Sequence, residues 1–172
     1  AGLDEAALRA MAATMGDAIA HRGPDDAGQW ASAVDGLALA HRRLSIQDLS
    51  AAGHQPMASA SGRFQFAYTG EIYNFQALRS ELAALGHGFN GHSDTEVLLA
   101  AVEQWGLEAA LPRFNGMFAI ALWDRQHQRL ALVRDRVGKK PLYYGWAGKA
   151  LVFGSELKAL WQHPDFDNPV NP

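Results

Sequence analysis

Residues 117–153, MFAIALWDRQHQRLALVRDRVGKKPLYYGWAGKALVF, are the stretch that decides the fold. Four short apolar runs, Met117 to Trp123, Arg129 to Val133, Pro141 to Trp146 and Leu151 to Phe153, are separated by charged or glycine-bearing turns. Such spacing predicts a meander of antiparallel strands, because antiparallel neighbours need only short turns whereas parallel ones need long crossovers. Glu156 to Trp161 then reads as one short closing helix, and the proline-bearing tail as a linker.

Upstream of Pro112 the pattern is mixed. Leu8, Met11, Met15 and Ile19 recur at helical spacing, so residues 4–20 read as an amphipathic helix that stops before the turn His21-Arg22-Gly23-Pro24-Asp25-Asp26. Alternating runs at Gly28 to Ser32 and Leu37 to Leu44 predict a hairpin turning at Asp35-Gly36, and Asp48 to Gly62 reads as a long functional loop. Phe64 to Tyr68 alternates as a strand that breaks at Thr69-Gly70. Asn74 is placed to cap a helix with a Leu78, Leu82 and Leu85 stripe ending at Gly86. Ser93 with Glu96 forms a capping box before Val97, Leu98, Ala101, Val102 and Trp105. Helices and antiparallel strands in separate runs predict an α+β fold in layers rather than a doubly wound parallel sheet.

Composition narrows the function classes. A chain of 172 residues suits one compact domain, and a net charge of −3 with interspersed signs offers no nucleic-acid footprint. No apolar run has the length of a membrane span, so a cytoplasmic protein without a membrane partner is expected. The absence of cysteine excludes disulfides, zinc thiolates and iron–sulfur ligation from this chain, together with a thiol nucleophile of its own. His87, His92 and Asp94 read as turn residues around a helix start, and no metal site is assigned. The run Arg134 to Lys140 reads as a solvated loop, and Trp123, Tyr143 and Tyr144 as core and sheet-face aromatics.

Four clusters remain where chemistry could reside: His41-Arg42-Arg43-Leu44-Ser45-Ile46, Thr69-Gly70-Glu71-Ile72-Tyr73-Asn74, Ser93-Asp94-Thr95-Glu96, and Arg134 to Tyr144. Together with His21 to Asp26 and Gly116-Met117-Phe118-Ala119, and in that order from about residue 5 to residue 163, the sequence resembles the glutaminase domain of class II glutamine amidotransferases, in the asparagine synthetase branch. The resemblance implies an N-terminal nucleophile hydrolase fold, an αββα sandwich of four layers. It implies hydrolysis of the glutamine side-chain amide by a terminal cysteine whose own α-amine serves as base. The ammonia would pass to an ATP-dependent and Mg²⁺-dependent synthetase domain that amidates a carboxylate. The glutaminase itself would need no cofactor. Glutamine and that synthetase domain are the implied partners, with a homodimer also open.

Carried over position by position, Arg43 matches the arginine that grips the substrate α-carboxylate, and Glu71 and Asp94 match the acids at its α-ammonium. Gly70 matches the backbone donor of the oxyanion hole, and Thr69 stands where the family has asparagine. Each also has a plainer explanation. Arg43 could end a surface strand, Glu71 could sit in a solvated turn, Asp94 could answer the helix dipole, and Gly70 could serve a positive-φ turn. The start Ala1-Gly2-Leu3 departs from the family's Cys-Gly-Ile, and the strand that precedes the first helix in the family is missing with it. Either residues lead this chain in the natural protein, which is preferred because a point substitution would leave the strand behind, or the nucleophile has been lost. Residues 1–163 are accordingly assigned to the glutaminase domain and 164–172 to a linker toward the synthetase domain. The alternative is a catalytically inactive relative serving as a structural or partner-binding domain.

Overall fold

The computed structural model describes residues 4–46 and 50–167. The start Ala1-Gly2-Leu3, Asp48 and Leu49 of the expected loop, and residues 168–172 of the expected linker lie outside the described residues. In chain order the elements are α1 (Glu5–Asp17), β1 (Asp26–Ser32), β2 (Leu37–Arg43), β3 (Met57–Ala58), β4 (Phe64–Ile72), α2 (Phe75–Ala84), α3 (Asp94–Trp105), α4 (Leu107–Ala110), β5 (Gly116–Asp124), β6 (Arg129–Arg134), β7 (Tyr143–Ala147), β8 (Ala150–Gly154) and α5 (Leu157–Leu160).

Strands β3-β4-β5-β6 form one antiparallel sheet, while β1-β2 and β7-β8 are separate hairpins. Helix α1 lies on β1 and β2, α5 lies on the second hairpin and against α1, and α3 covers β4 together with α2. The layers therefore run helix, hairpins, sheet, helices, the expected αββα order. Even-numbered residues of β4 and β5, among them Phe66, Tyr68, Ile72 and Ile120, pack with Leu78, Leu82, Val97 and Leu98 to form the main core. The opposite face carries Ala67, Ala119 and Ala121, small side chains that let the hairpin layer approach.

Local signals account for most boundaries. Asp4 caps α1 by accepting from the Ala7 N–H at 2.7 Å, and Gly36 turns the first hairpin with φ of 62°. Gly86, at φ of 95°, stops α2 with the Gly86 and His87 N–H groups returned to the carbonyls of Ala83 and Leu82.

Several expectations are corrected. Strand β4 does not break at Thr69-Gly70 but runs through to Ile72, with Gly70 opposite Phe118. A Cβ at Gly70 would overlap the Met117 carbonyl, so this glycine serves close strand approach and is not a turn residue. The final strands do not extend one meander, since β7 and β8 pair only with each other among the described strands. Asn74 does not cap α2 through its side chain, which instead donates to Arg113 O and accepts from Asn115 N–H. The capping box is half formed: Ser93 Oγ accepts from Glu96 N–H, but the Glu96 carboxylate takes the N–H groups of Asn90 and Gly91. The aromatics, by contrast, lie as expected, Trp123 buried in the core and Tyr143 and Tyr144 exposed on β7.

Between β2 and β8 the hairpin layer opens into an apolar cleft of about 240 Å³. Its walls include Leu39 and Ala40 on one side and Leu151 and Val152 on the other, with Met11 and Met15 above and Ala119 and Ala121 below. Glu156 clips the segment after α1 to the start of α5, accepting from His21 Nε2 at 2.9 Å, Arg22 Nη1 at 3.1 Å and Lys158 Nζ at 3.0 Å. Lys158 foremost, with Arg22 and His21, holds the Glu156 carboxyl down to about 2.

Candidate active site

The site is built on one edge of β4. Strand β3 covers that edge only opposite Gln65 and Phe66, so from Tyr68 onward no strand among the described residues lies beside it. Alternate residues of an antiparallel strand present their N–H and C=O groups to opposite edges. The Phe64 carbonyl accepts from Ser59 N–H, which assigns the even-numbered residues of β4 to the edge left open. Side chains complete part of the missing ladder. Gln55 Oε1 accepts from Tyr68 N–H at 2.7 Å, His41 Nε2 donates to Tyr68 O at 2.8 Å, and Asp94 Oδ2 accepts from Ile72 N–H at 3.0 Å.

Gly70 lies between these anchored residues. Across from it Phe118 turns away, donating its N–H to Asp135 Oδ2 at 3.2 Å and accepting the Asp135 N–H at 2.8 Å. The Gly70 N–H therefore points to the open edge, where a cavity of about 150 Å³ lies. That volume is below the roughly 300–1,000 Å³ of sites for drug-sized ligands, and suits a small metabolite.

Arg43, Thr69, Gly70, Glu71 and Asp94 all line this one cavity. Arg43 reaches it from the inner face of β2, with its side chain buried, Nη1 donating to Ser50 O at 2.8 Å and Gly53 packed directly under the guanidinium. Arg42, one residue back, sends its side chain the other way, to Gly16 O and Asp17 on α1. Asp94 sits at the first turn of α3, and Tyr68 Oη donates to its Oδ2 at 2.7 Å. Burial, with Glu71 adding like charge, raises the Asp94 carboxyl above its ordinary range, although Tyr68 and Ile72 favour the charged form. Burial likewise pushes the Tyr68 phenol upward and the His41 imidazole down to about 4.

Three further residues belong to this environment. His41 and Gln55 line the cavity while holding the Tyr68 backbone, and Gln55 also donates to Thr95 Oγ1 at 3.4 Å. His41 stands in a motif that the sequence displays, but nothing in its spacing distinguishes it from a strand residue. Lys140 reaches the same cavity from the loop after β6. That loop is not merely solvated, because Asp135 is buried and accepts the N–H groups of Lys139 at 2.9 Å and Lys140 at 3.0 Å. An acid between two arginines looks solvated in sequence, and only the fold turns it inward. His87 lies apart, on Gln104 at 2.8 Å. Among the described residues no three His, Cys, Asp or Glu side chains gather to hold a metal ion.

Chemically, a buried arginine, two carboxylates and an outward backbone N–H around 150 Å³ suit an amino-acid zwitterion with a carbonyl to polarise. Comparison with known proteins agrees. A family model described as a glutamine amidotransferase domain matches residues 2–172. The chain is 42% identical over 159 residues to glutamine-hydrolysing asparagine synthetase 3 of Bacillus subtilis, covering 91% of this chain and 25% of that protein. It is 41% identical over 158 residues to asparagine synthetase B of Escherichia coli, covering 91% and 28%. An amidase, chry2, of Gibberella zeae is 39% identical over 144 residues, covering 84% and 21%. The chain thus spans about a quarter of the length of these relatives. Among solved structures, the glutamine phosphoribosylpyrophosphate amidotransferase of B. subtilis superimposes with a TM-score of 0.75 at 22% identity, covering 92% of this chain and 41% of that one. That likeness bears on the fold alone. No helix among the described residues is long and apolar enough to cross a membrane.

Proposed function

The chain belongs to the glutamine amidotransferase domain family, and from that premise we propose that it is the glutaminase half of an asparagine synthetase-like enzyme. The observation that carries this is the convergence of Arg43, Glu71 and Asp94 on one small cavity beside the outward N–H of Gly70. In the proposed complex Arg43 pairs with the α-carboxylate of glutamine, a fork that matches two carboxylate oxygens. Glu71 and Asp94 take the α-ammonium, whose positive charge offsets the repulsion between two acids held close together.

The nucleophile is proposed to be a cysteine at the head of a strand that precedes Asp4 in the natural protein and lies between β2 and β8. Arg22, His41, Arg42, Tyr68 and Thr69 line both the apolar cleft and the acid–arginine cavity, so a strand in the first leads into the second. The thiolate would attack the carboxamide carbon while the C=O electrons move to oxygen, which Gly70 N–H and the Thr69 hydroxyl stabilise. Collapse expels ammonia, with the leaving nitrogen taking the proton held by the terminal amine. Water then cleaves the thioester to release glutamate and the thiol.

The ammonia is proposed to serve an ATP-dependent and Mg²⁺-dependent domain of the same longer protein that amidates an acceptor carboxylate. Those ligands belong to that domain, and no Ser-Gly-Gly pyrophosphatase loop lies in this sequence. The alternative of an inactive partner-binding domain draws on Thr69 in place of asparagine, and is opposed by all three charged groups remaining in place. The deciding experiment measures glutamate release from glutamine by the complete encoded protein, with N-acetylglutamine as comparison. Hydrolysis of glutamine alone is expected. Absence of hydrolysis, or equal use of the acylated substrate, overturns the reading.

A further inference from the structure

His41 stands where the apolar cleft meets the acid–arginine cavity, lining both. Its Nε2 must carry a proton, because its partner, the Tyr68 carbonyl at 2.8 Å, can only accept. Burial keeps the ring neutral, against the opposing influence of that carbonyl and of Asp26, while Arg43 and His54 act in the same direction as burial. In that tautomer Nδ1 is a bare lone pair, an acceptor and nothing else. Nδ1 is shielded from solvent and has no hydrogen-bond partner among the described residues. A buried acceptor left without a donor forfeits its hydration and gains nothing in return, so a donor is expected to complete it.

The place of that donor follows from the two cavities. The cleft is walled by strands on both sides, apolar along its length, and suits an extended segment. At His41 the apolar lining gives way to charged groups, so a strand seated there ends at this point if it is to leave the second cavity open for a ligand. Of the two kinds of chain end, an ionised carboxylate can only accept, so the end that completes an acceptor-only Nδ1 is the one that presents an α-amine.

We propose that His41 is the positioning residue for the nucleophile, its Nδ1 accepting a hydrogen bond from the α-amine of the terminal residue. This rests on the glutaminase reading above. By fixing one N–H of the amine, His41 directs the nitrogen lone pair toward the thiol it deprotonates. The same ring, through Nε2 and Tyr68 O, is tied to the strand that carries the Gly70 donor two residues on. Attacking group and oxyanion donor are thereby held to one rigid side chain.

Two substitutions separate this role from a purely structural one, in the complete encoded protein. Glutamine at position 41 places its amide nitrogen near the former Nε2, keeping the donor to Tyr68 O but leaving no acceptor near Nδ1. Asparagine, shorter, places its oxygen near the former Nδ1 and gives up Tyr68. The proposal expects His41→Gln to keep its Tm within a few degrees and its KM for glutamine within about two-fold, with kcat down ten-fold or more. It expects His41→Asn to have the lower Tm but the higher kcat of the pair. A His41→Gln enzyme within two-fold of the unaltered kcat overturns it, as does a kcat for His41→Asn below that for His41→Gln. Where a variant does not fold, nitrogen NMR of His41 in the unaltered protein decides. A ring protonated at Nε2 with a hydrogen-bonded Nδ1 supports the proposal, and one protonated at Nδ1 overturns it. Failure of the unaltered protein to hydrolyse glutamine would instead remove the glutaminase reading, so the two failures are distinguishable.

Discussion

Tyr68 Oη donates to Asp94 Oδ2 at 2.7 Å, and this bond joins the edge of β4 to the first turn of α3. The same carboxylate oxygen also accepts from Ile72 N–H at 3.0 Å, so Asp94 is oriented from two points of one strand. Burial with only neutral donors explains why its carboxyl lies above the ordinary range. An acid in that state gains from a cationic ligand, which is the physical basis for assigning it to an α-ammonium.

Removing the phenol should therefore weaken the anion. Tyr68→Phe is expected to raise the KM for glutamine about ten-fold, in keeping with about 1.5–3 kcal/mol for a hydrogen bond to a charged group. Loss of the donor raises the Asp94 carboxyl further, so the acid limb of kcat/KM should move to higher pH. An unshifted limb with unchanged KM would show that Asp94 does not act as the charged partner of the substrate.

The sign for stability is opposite. Because the folded Asp94 carboxyl lies above its unfolded value, its favourable contribution is full below the unfolded value and is lost as pH rises through the folded one. Asp94→Asn should therefore be less stable than the unaltered protein by a smaller margin at pH 7 than at pH 4, or more stable at pH 7 outright. Urea unfolding at the two pH values without ligand checks this. A margin that grows with pH would contradict the direction assigned to Asp94.

Gly53 gives a test of Arg43 that leaves the arginine in place. A Cβ there would meet the guanidinium itself, with the Cζ atom at 2.5 Å, and the flexible side chain would yield before the backbone does. Gly53→Ala is expected to raise the KM for glutamine several-fold to tens of fold with kcat within about two-fold, and Arg43→Ala to raise it more. Steady-state kinetics separate the two parameters, and an unchanged KM in both variants would remove Arg43 from carboxylate recognition.

What the sequence made legible was local. The Asp35-Gly36 turn, the Ser93 cap and the β5 and β6 strands rest on neighbours in sequence, and each is where its pattern puts it. Arg43, Glu71 and Asp94 are brought together from three elements, a convergence that family resemblance implied and no spacing could show. What stayed hidden depended on the third dimension. Gly70 has the composition of a break, yet its lack of a side chain is required by the Met117 carbonyl across the sheet. Asp135 is surrounded by charges in sequence, and by backbone N–H groups in space. The separation of the two hairpins by a cleft could not be read from strands that look alike.

Asp135 should matter to stability as well as to the position of Lys140. Burial opposes its charge, but the N–H groups of Lys140, Lys139 and Phe118 outweigh it and hold the carboxyl below the usual range. A depressed value means stability present above the unfolded pKa and lost as pH falls through the folded one. Asp135→Asn is expected to lower stability by about 1–3 kcal/mol at pH 7, since an amide group then faces donors with a donor. The gap to the unaltered protein should narrow below pH ~4, where the carboxyl of the unfolded chain begins to take up a proton that the folded one still resists. Denaturation curves at pH 7 and pH 3 test this, and a gap independent of pH would mean that charge is not what the loop uses.

Thr69 precedes the Gly70 donor in β4 and lines the same cavity. Its hydroxyl is carried on a shorter arm than the carboxamide of asparagine, so its reach toward an oxyanion is less. Losing one such donor in other acyl-transfer sites costs about 10² to 10³ in rate. Because Thr69 lies on the face of β4 opposite the Tyr68 side chain, replacing it should leave the main core undisturbed. In the complete protein Thr69→Asn is expected to raise kcat for glutamine hydrolysis, and Thr69→Val to lower it at unchanged KM. Equal kcat in all three proteins, with intact thermal unfolding, would show that the Thr69 side chain takes no part in stabilising the oxyanion and that Gly70 serves it without help from this side chain.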